Sequence, residues 1–447
     1  MLTPMFKKIS VLPLLLFVIT ACSSKERVTP KDCGCDTTDH RNPTVDLPQD
    51  YTAILDEQDP FKDYLYARPE AMEVTSSLRV GTGSSAIFSD RLAFKSRGGI
   101  NSVFAVVAYP GKRGKYPAIL ILHGGGGNAE GLKGLAEHYA RQGFVAMVTD
   151  QPGICGYENT PETTGPWKSR PEGEAPRFEV GNGPQTSTLV DGLVADLQAF
   201  NWLANRSDVD AAHIGITGFS WGGYATTFLT GLLRDRVKAA YSIYGSGYYD
   251  KDSFWTDIIA GLPEAIRDTW LKYLDAGRRA TYITAPYFIE AATNDTYFQP
   301  TAVMATLEAA GPVANWVWGP NLNHKRPKFG EAMQLAYFNH YLKGQGDVLH
   351  KTAIVVSERQ DDGAEMVSVR VSPTTTLVTG VTVYYSEPTN KWTDRQWIPV
   401  DAARNAEGMY QATIPAASAT ARASYFATVT DKSNRSTSST IQETSHY

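Results

Sequence analysis

Cysteine is scarce in this chain: four residues in 447, three of them (Cys22, Cys33 and Cys35) crowded near the start. A disulfide-built fold is thereby excluded, and no cysteine and histidine spacing suggests a zinc site, so no metal is expected. An excess of one charge is missing too. The formal net charge of -5 gives no reason to expect nucleic acid as a partner. Neither a GxGxxG fingerprint in a nucleotide-type unit nor a Gly-Lys-Ser/Thr phosphate loop occurs, and no organic cofactor is expected. The apolar run Ile9 to Ile19 is too short to span a membrane as a mature helix. Internal repeats are absent as well. What remains is a composition of 42% hydrophobic and 20% charged residues, normal for a globular protein and too long for one ordinary domain. Aromatics at 11% suit sugar handling and aromatic-filled β-sandwich cores equally, so they decide nothing alone.

The first residues read as a targeting signal. Lys7 and Lys8 precede the apolar run, and Ile19-Thr20-Ala21-Cys22 resembles the bacterial lipobox. Cleavage before Cys22 leaves that cysteine to carry lipid, and Ser23 after it points to the outer membrane of a bacterial envelope. The expected organisation is a signal peptide over 1–21, a flexible tether over 22–50, a catalytic domain over 51–346 and a β-sandwich over 347–447. Cys33 and Cys35 could bridge only through a very small, strained ring. Cys155, after the Pro152-Gly153 turn, reads as a packed free thiol rather than a nucleophile.

From about 117 to 344 strands and helices alternate. Apolar runs at Pro117 to Leu122, Phe144 to Thr149, Val209 to Thr217, Val237 to Tyr244, Ala285 to Ala292 and Asn315 to Trp318 read as buried strands. Helical periodicity falls at Ala129 to Gln142, Thr188 to Ala204 and Glu331 to Lys343. This predicts an α/β fold, a mostly parallel sheet with helices on both faces and ligands at the carboxyl ends of its strands. From Ala353 onward short Val/Thr/Tyr/Ser-rich strands predict an all-β immunoglobulin-like or fibronectin-like sandwich. The polar stretch from Gly153 to Pro184 reads either as a wall or lid over the site or as disorder.

The chemistry concentrates at four places. Gly218-Phe219-Ser220-Trp221-Gly222 follows a strand and opens a helix, the form of a nucleophile elbow. The turn is tight enough that its flanking positions need glycine. Ser220 needs a base, and His324 stands in a loop after the last predicted strand of the sheet and before its final helix. His324 in turn needs an acid, and Asp295 follows the strand before it, with Glu290 inside that strand as the weaker alternative. Leu122-His123-Gly124-Gly125-Gly126-Gly127-Asn128 follows another strand end and can present bare backbone N–H groups. The N–H groups of Gly125 and Trp221 are the expected oxyanion hole, with His123 ordering the glycine loop.

These motifs, with Asn294 before the acid and the Asn321-x-x-His324 spacing, resemble the α/β-hydrolase superfamily over about 85–344. Within it they look most like dienelactone hydrolase and acetyl xylan esterase-type bacterial serine hydrolases, neighbours of the prolyl oligopeptidase group. Dienelactone hydrolases proper use a cysteine nucleophile where this chain has Ser220, and residues 50–116 cannot hold the β-propeller of a prolyl peptidase. The resemblance implies a serine carboxylic-ester hydrolase with a Ser-His-Asp triad, and carbohydrate (xylan-type) acetyl esters as the narrower expectation. The rival readings are a serine peptidase or amidase, and a non-catalytic, surface-anchored glycan-binding lipoprotein. Exposed aromatics on the sandwich, with Trp392 and Trp397 as candidates, would favour the last; burial in a core is the expected role of at least one of them.

Overall fold

The computed structural model describes residues 55–415 and 422–444. The expected signal peptide, Cys22 and the tether lie outside the described residues. At the centre is a nine-stranded sheet in the order β1-β2-β3-β5-β4-β6-β7-β8-β9. Its strands are β1 (Glu70–Val80), β2 (Ile87–Ser96), β3 (Asn101–Pro110), β4 (Tyr116–Leu122), β5 (Val145–Thr149), β6 (Val209–Phe219), β7 (Ala239–Ile243), β8 (Tyr287–Ala292) and β9 (Ala314–Gly319). β4 to β9 pair in parallel, and β1, β2 and β3 add an antiparallel edge. Every residue of β5, β7 and β8 is buried, as parallel strands covered on both faces require.

Helices cover the two faces. Thr188–Ala204 and Trp221–Leu233 pack into one core cluster, while Ala129–Arg141 and Gly330–Lys343 pack into the other. Local signals start two of them. The Asn128 side chain accepts from the Gly131 N–H at 2.7 Å, and Ser187 Oγ accepts from the Leu189 N–H at 3.2 Å. From β4 the chain steps to β5 on one side and then to β6 on the other. That reversal opens a crevice at the carboxyl ends of β4 and β6, where the glycine loop and the elbow begin.

Residues 153–184 pack onto this domain as ordered structure. Trp167 is buried, and the Phe178 ring stacks on Trp270 with centroids 4.8 Å apart.

After the helix Gly330–Lys343 the chain becomes all-β. β10 (Thr352–Arg359), β11 (Glu365–Val371), β15 (Tyr410–Ile414) and β14 (Ala403–Arg404) form one antiparallel sheet. β13 (Ile398–Asp401), β12 (Val378–Ser386), β16 (Ser424–Asp431) and β17 (Ser436–Ser438) form the second, with β18 (Gln442–Glu443) beside β16. Their facing sides bury Val367, Val369, Val381, Val383, Ala427 and Val429 in a core of their own.

Candidate active site

Strand β6 passes into the helix Trp221–Leu233 through one residue, Ser220, held at φ 56° and ψ -118°. A serine keeps such backbone angles only where the surroundings over-determine them. The glycines explain how the turn fits. A Cβ on Gly222 would stand 2.2 Å from the Leu122 carbonyl oxygen, and one on Gly218 would stand 2.3 Å from the Gly222 oxygen. The Ser220 N–H donates to the Ile243 carbonyl at 2.9 Å, which fixes the turn to β7.

His324 reaches the elbow from the loop after β9. Its Nε2 lies 3.0 Å from Ser220 Oγ, and its Nδ1 lies 3.0 Å from Asp295 Oδ2 and 3.1 Å from Asp295 Oδ1. Asp295 is fully buried just beyond β8, and its Oδ1 accepts from the N–H groups of Tyr297 (2.8 Å) and Phe298 (3.1 Å). These donors fix the carboxyl group in direction. The two loops are also laced together. Asn294 N–H donates to the Leu322 carbonyl at 3.0 Å, and Thr296 N–H to Asn323 Oδ1 at 2.9 Å.

The glycine loop lies over the elbow: a Cβ on Gly124 would meet the Ser220 Cβ at 3.3 Å, and one on Gly125 the Trp221 Cδ1 at 2.9 Å. The Gly126 and Gly127 N–H groups are committed to the carbonyls of Ile154 and Gly124. Among the described residues no protein acceptor is recorded for the Gly125 N–H, and Trp221, as the first helical residue, has no intrahelical acceptor for its own. His123 is buried beneath the loop. Its Nε2 accepts from the Gln151 N–H at 3.0 Å, and Nδ1 faces the Gly124 carbonyl at 2.8 Å. Burial pushes its pKa down to about 4, so it stays neutral with its proton on Nδ1. Asn159, from the packed insertion, donates to the Gly126 carbonyl at 3.0 Å.

Burial pushes the Cys155 thiol up to about 12, so it is not a competing nucleophile. Glu290, the alternative acid, is turned to Arg326 and Tyr241. Among the described residues no group of three or more His, Cys, Asp or Glu side chains could hold a metal ion.

Sequence reasoning did not single out the rim. Tyr297 and Phe254 are 39% and 48% exposed, their centroids are 5.2 Å apart, and the Tyr297 ring stands 4.9 Å from that of His324. The insertion also supplies Arg177, whose guanidinium lies 4.9 Å from the Trp221 ring centroid. Trp392 and Trp397 do not form an exposed platform. Trp397 is buried against Phe426, and Trp392 Nε1 donates to Thr301 Oγ1 at 3.1 Å across to the α/β domain.

Comparison with known proteins agrees with this architecture. Residues 103–311 match the family described as Dienelactone hydrolase family. Acetyl esterase Axe7A of Xylanibacter ruminicola is 26% identical over 219 residues, which are 45% of this chain and 47% of that protein. The chain therefore spans about half the length of this curated relative. Two solved structures share the fold. Acetyl xylan esterase 1 from Thermoanaerobacterium sp. superposes with a TM-score of 0.51 at 18% identity, covering 67% of this chain and 94% of that one. Acetyl xylan esterase from Paenibacillus sp. R4 gives 0.53 at 19% identity, covering 67% and 97%.

Proposed function

We propose that this chain, whose residues 103–311 match the Dienelactone hydrolase family, is a serine carboxylic-ester hydrolase working through an acyl-enzyme. The observation that carries the reading is the continuous contact from Ser220 Oγ through both nitrogens of His324 to Asp295. His324 Nε2 takes the Ser220 proton as Oγ attacks the ester carbonyl. Asp295 keeps the other imidazole proton on Nδ1 and stabilises the imidazolium. The Gly125 and Trp221 N–H groups receive the oxyanion, each worth about 3 kcal/mol of transition-state stabilisation. The alcohol departs with the proton from Nε2, and water hydrolyses the acyl-serine by the same path.

The narrower reading is an acetyl ester on a carbohydrate. The likeness to an acetyl esterase supports it. So does the exposed Tyr297 and Phe254 pair beside the base, since aromatic faces suit the apolar face of a sugar ring. The N-terminal reading completes the proposal: lipid on Cys22 would hold the enzyme at the bacterial envelope, at the outer membrane. Metabolic labelling with palmitate, lost in Cys22→Ala, checks that part.

The test of function is hydrolysis of p-nitrophenyl acetate by the purified protein beside Ser220→Ala. Turnover in the first and none in the second is expected. Equal turnover in both would remove Ser220 from the mechanism, and no turnover in the wild type would turn the search to amides.

A further inference from the structure

The two halves of the site hang from different parts of the molecule. Ser220 and the glycine loop are fixed by β4, β6 and β7 within the α/β domain. The acid and base loops are each held by one asparagine to the main chain of the C-terminal sandwich. Asn321, three residues before His324, donates from Nδ2 to the Trp397 carbonyl at 2.8 Å and accepts at Oδ1 from the Trp397 N–H at 2.7 Å. Asn294, beside Asp295, donates to the carbonyls of Arg395 at 2.7 Å and Thr393 at 3.2 Å, and its Oδ1 accepts from Thr293 Oγ1 at 2.7 Å.

The partner segment 393–397 is itself anchored in the sandwich. Trp397 packs on Phe426 at 4.9 Å, and Arg395 bonds Ser424 and lies 4.1 Å over the Trp392 ring. Among the described residues no hydrogen bond is recorded from the sandwich to the glycine loop or to Ser220. The base loop also has a strained backbone, with φ of 58° at Asn321 and 47° at His324. Such angles persist only where neighbours impose them.

We propose that the sandwich is a positioning device for catalysis: through Asn321 and Asn294 its 393–397 segment sets where His324 and Asp295 stand relative to Ser220. This rests on the serine hydrolase reading above. Asn321 and Asn294 are positioning residues, and neither touches the reacting atoms. A shift of about 1 Å in a reacting group can cost 100-fold in rate. Loosening this seam therefore lowers kcat while leaving substrate binding alone.

The test is steady-state kinetics on p-nitrophenyl acetate with Asn321→Gly, which keeps the left-handed backbone accessible, and Asn294→Ala. Ser438→Ala is the control. It removes a different seam contact, the 3.1 Å bond that the Trp318 N–H of β9 donates to Ser438 Oγ, and touches neither asparagine nor the segment 393–397. Each asparagine variant is expected to lose at least tenfold in kcat with KM within twofold, and Ser438→Ala to stay within twofold in both. Folding is read by circular dichroism. Should either variant fail to fold, Asn321→Asp, which keeps the acceptor oxygen, must show an intermediate kcat. Wild-type kcat in a folded asparagine variant, or an equal loss in Ser438→Ala, overturns the proposal. An inactive Ser220→Ala beside asparagine variants with wild-type kinetics rejects this proposal alone. An active Ser220→Ala rejects the reading it rests on.

Discussion

Arg326 grips Glu290 with both ends of its fork, Nε to Oε2 at 2.8 Å and Nη2 to Oε1 at 2.7 Å, in a setting where the Glu290 side chain is fully buried. Tyr241 adds a hydroxyl bond to Oε1 at 2.6 Å. Arg326 is two residues past His324, so this pair pins the far side of the base loop to β8. Removing one partner strands a buried charge, which costs about 3–5 kcal/mol. Arg326→Met is expected to lower the unfolding free energy by that much and to reduce kcat. Pairing it with Glu290→Met should recover much of the stability, because an apolar pair of similar volume needs no counter-charge. Urea unfolding of both variants checks this.

The elbow predicts a steric failure. With Leu122 O 2.2 Å from its Cβ, Gly222→Ala must push β4 and the glycine loop away from Ser220. A loss of more than about 3 kcal/mol, as for overpacking against rigid backbone, is expected, together with loss of turnover. Thermal unfolding and p-nitrophenyl acetate hydrolysis measure the two effects.

Buried Asp150 and His123 respond to acidity with opposite sign. Burial pushes the Asp150 carboxyl up to about 6, so the folded protein binds its proton more tightly than the unfolded chain does, and stability falls as pH rises from about 4 to 6. His123, pushed down to about 4, does the reverse: its contribution is full above about pH 6.5 and is lost as pH falls toward 4. Asp150→Asn removes the first effect and leaves the second. The Asn side chain can still accept from the Ala129 N–H, which Asp150 holds at 2.7 Å. The variant should therefore gain on the wild type between pH 4 and pH 7, by about 3 kcal/mol at most. Urea midpoints at the two pH values decide it. A constant difference would contradict the assignment.

The rim makes a substrate-dependent prediction. Tyr297→Ala and Phe254→Ala should raise KM about five- to tenfold for acetylated xylo-oligosaccharides. For p-nitrophenyl acetate, which carries no sugar ring, the change in KM should be smaller than twofold. Initial rates on both substrates test this.

Much of the site was legible in the sequence because its signals are local. Glycines at Gly218 and Gly222 mark a turn that no other residue fits, and the order Ser220, Asp295, His324 follows successive strand ends. The helix Thr188–Ala204 has the bounds its periodicity predicts. Less local features escaped. β1 is a largely exposed edge strand with no clean alternation, and the helices Thr256–Gly261, Glu264–Leu274 and Pro300–Ala310 gave no signal that was recognised. The seam was illegible for a different reason. Asn321 and Asn294 pair with main-chain atoms some 75–100 residues onward, and main-chain partners leave no pattern in side-chain identity. Trp397 reads as a surface aromatic in sequence because its burial depends on a ring in another strand, Phe426.

The central claim is that Ser220 becomes acylated. The direct measurement is mass spectrometry of the protein after reaction with a fluorophosphonate, which traps an activated serine. One adduct is expected, on the peptide containing Ser220, absent from Ser220→Ala and formed far more slowly in His324→Ala. Inactivation with the adduct on another residue, or an active enzyme that takes up no label, would contradict it.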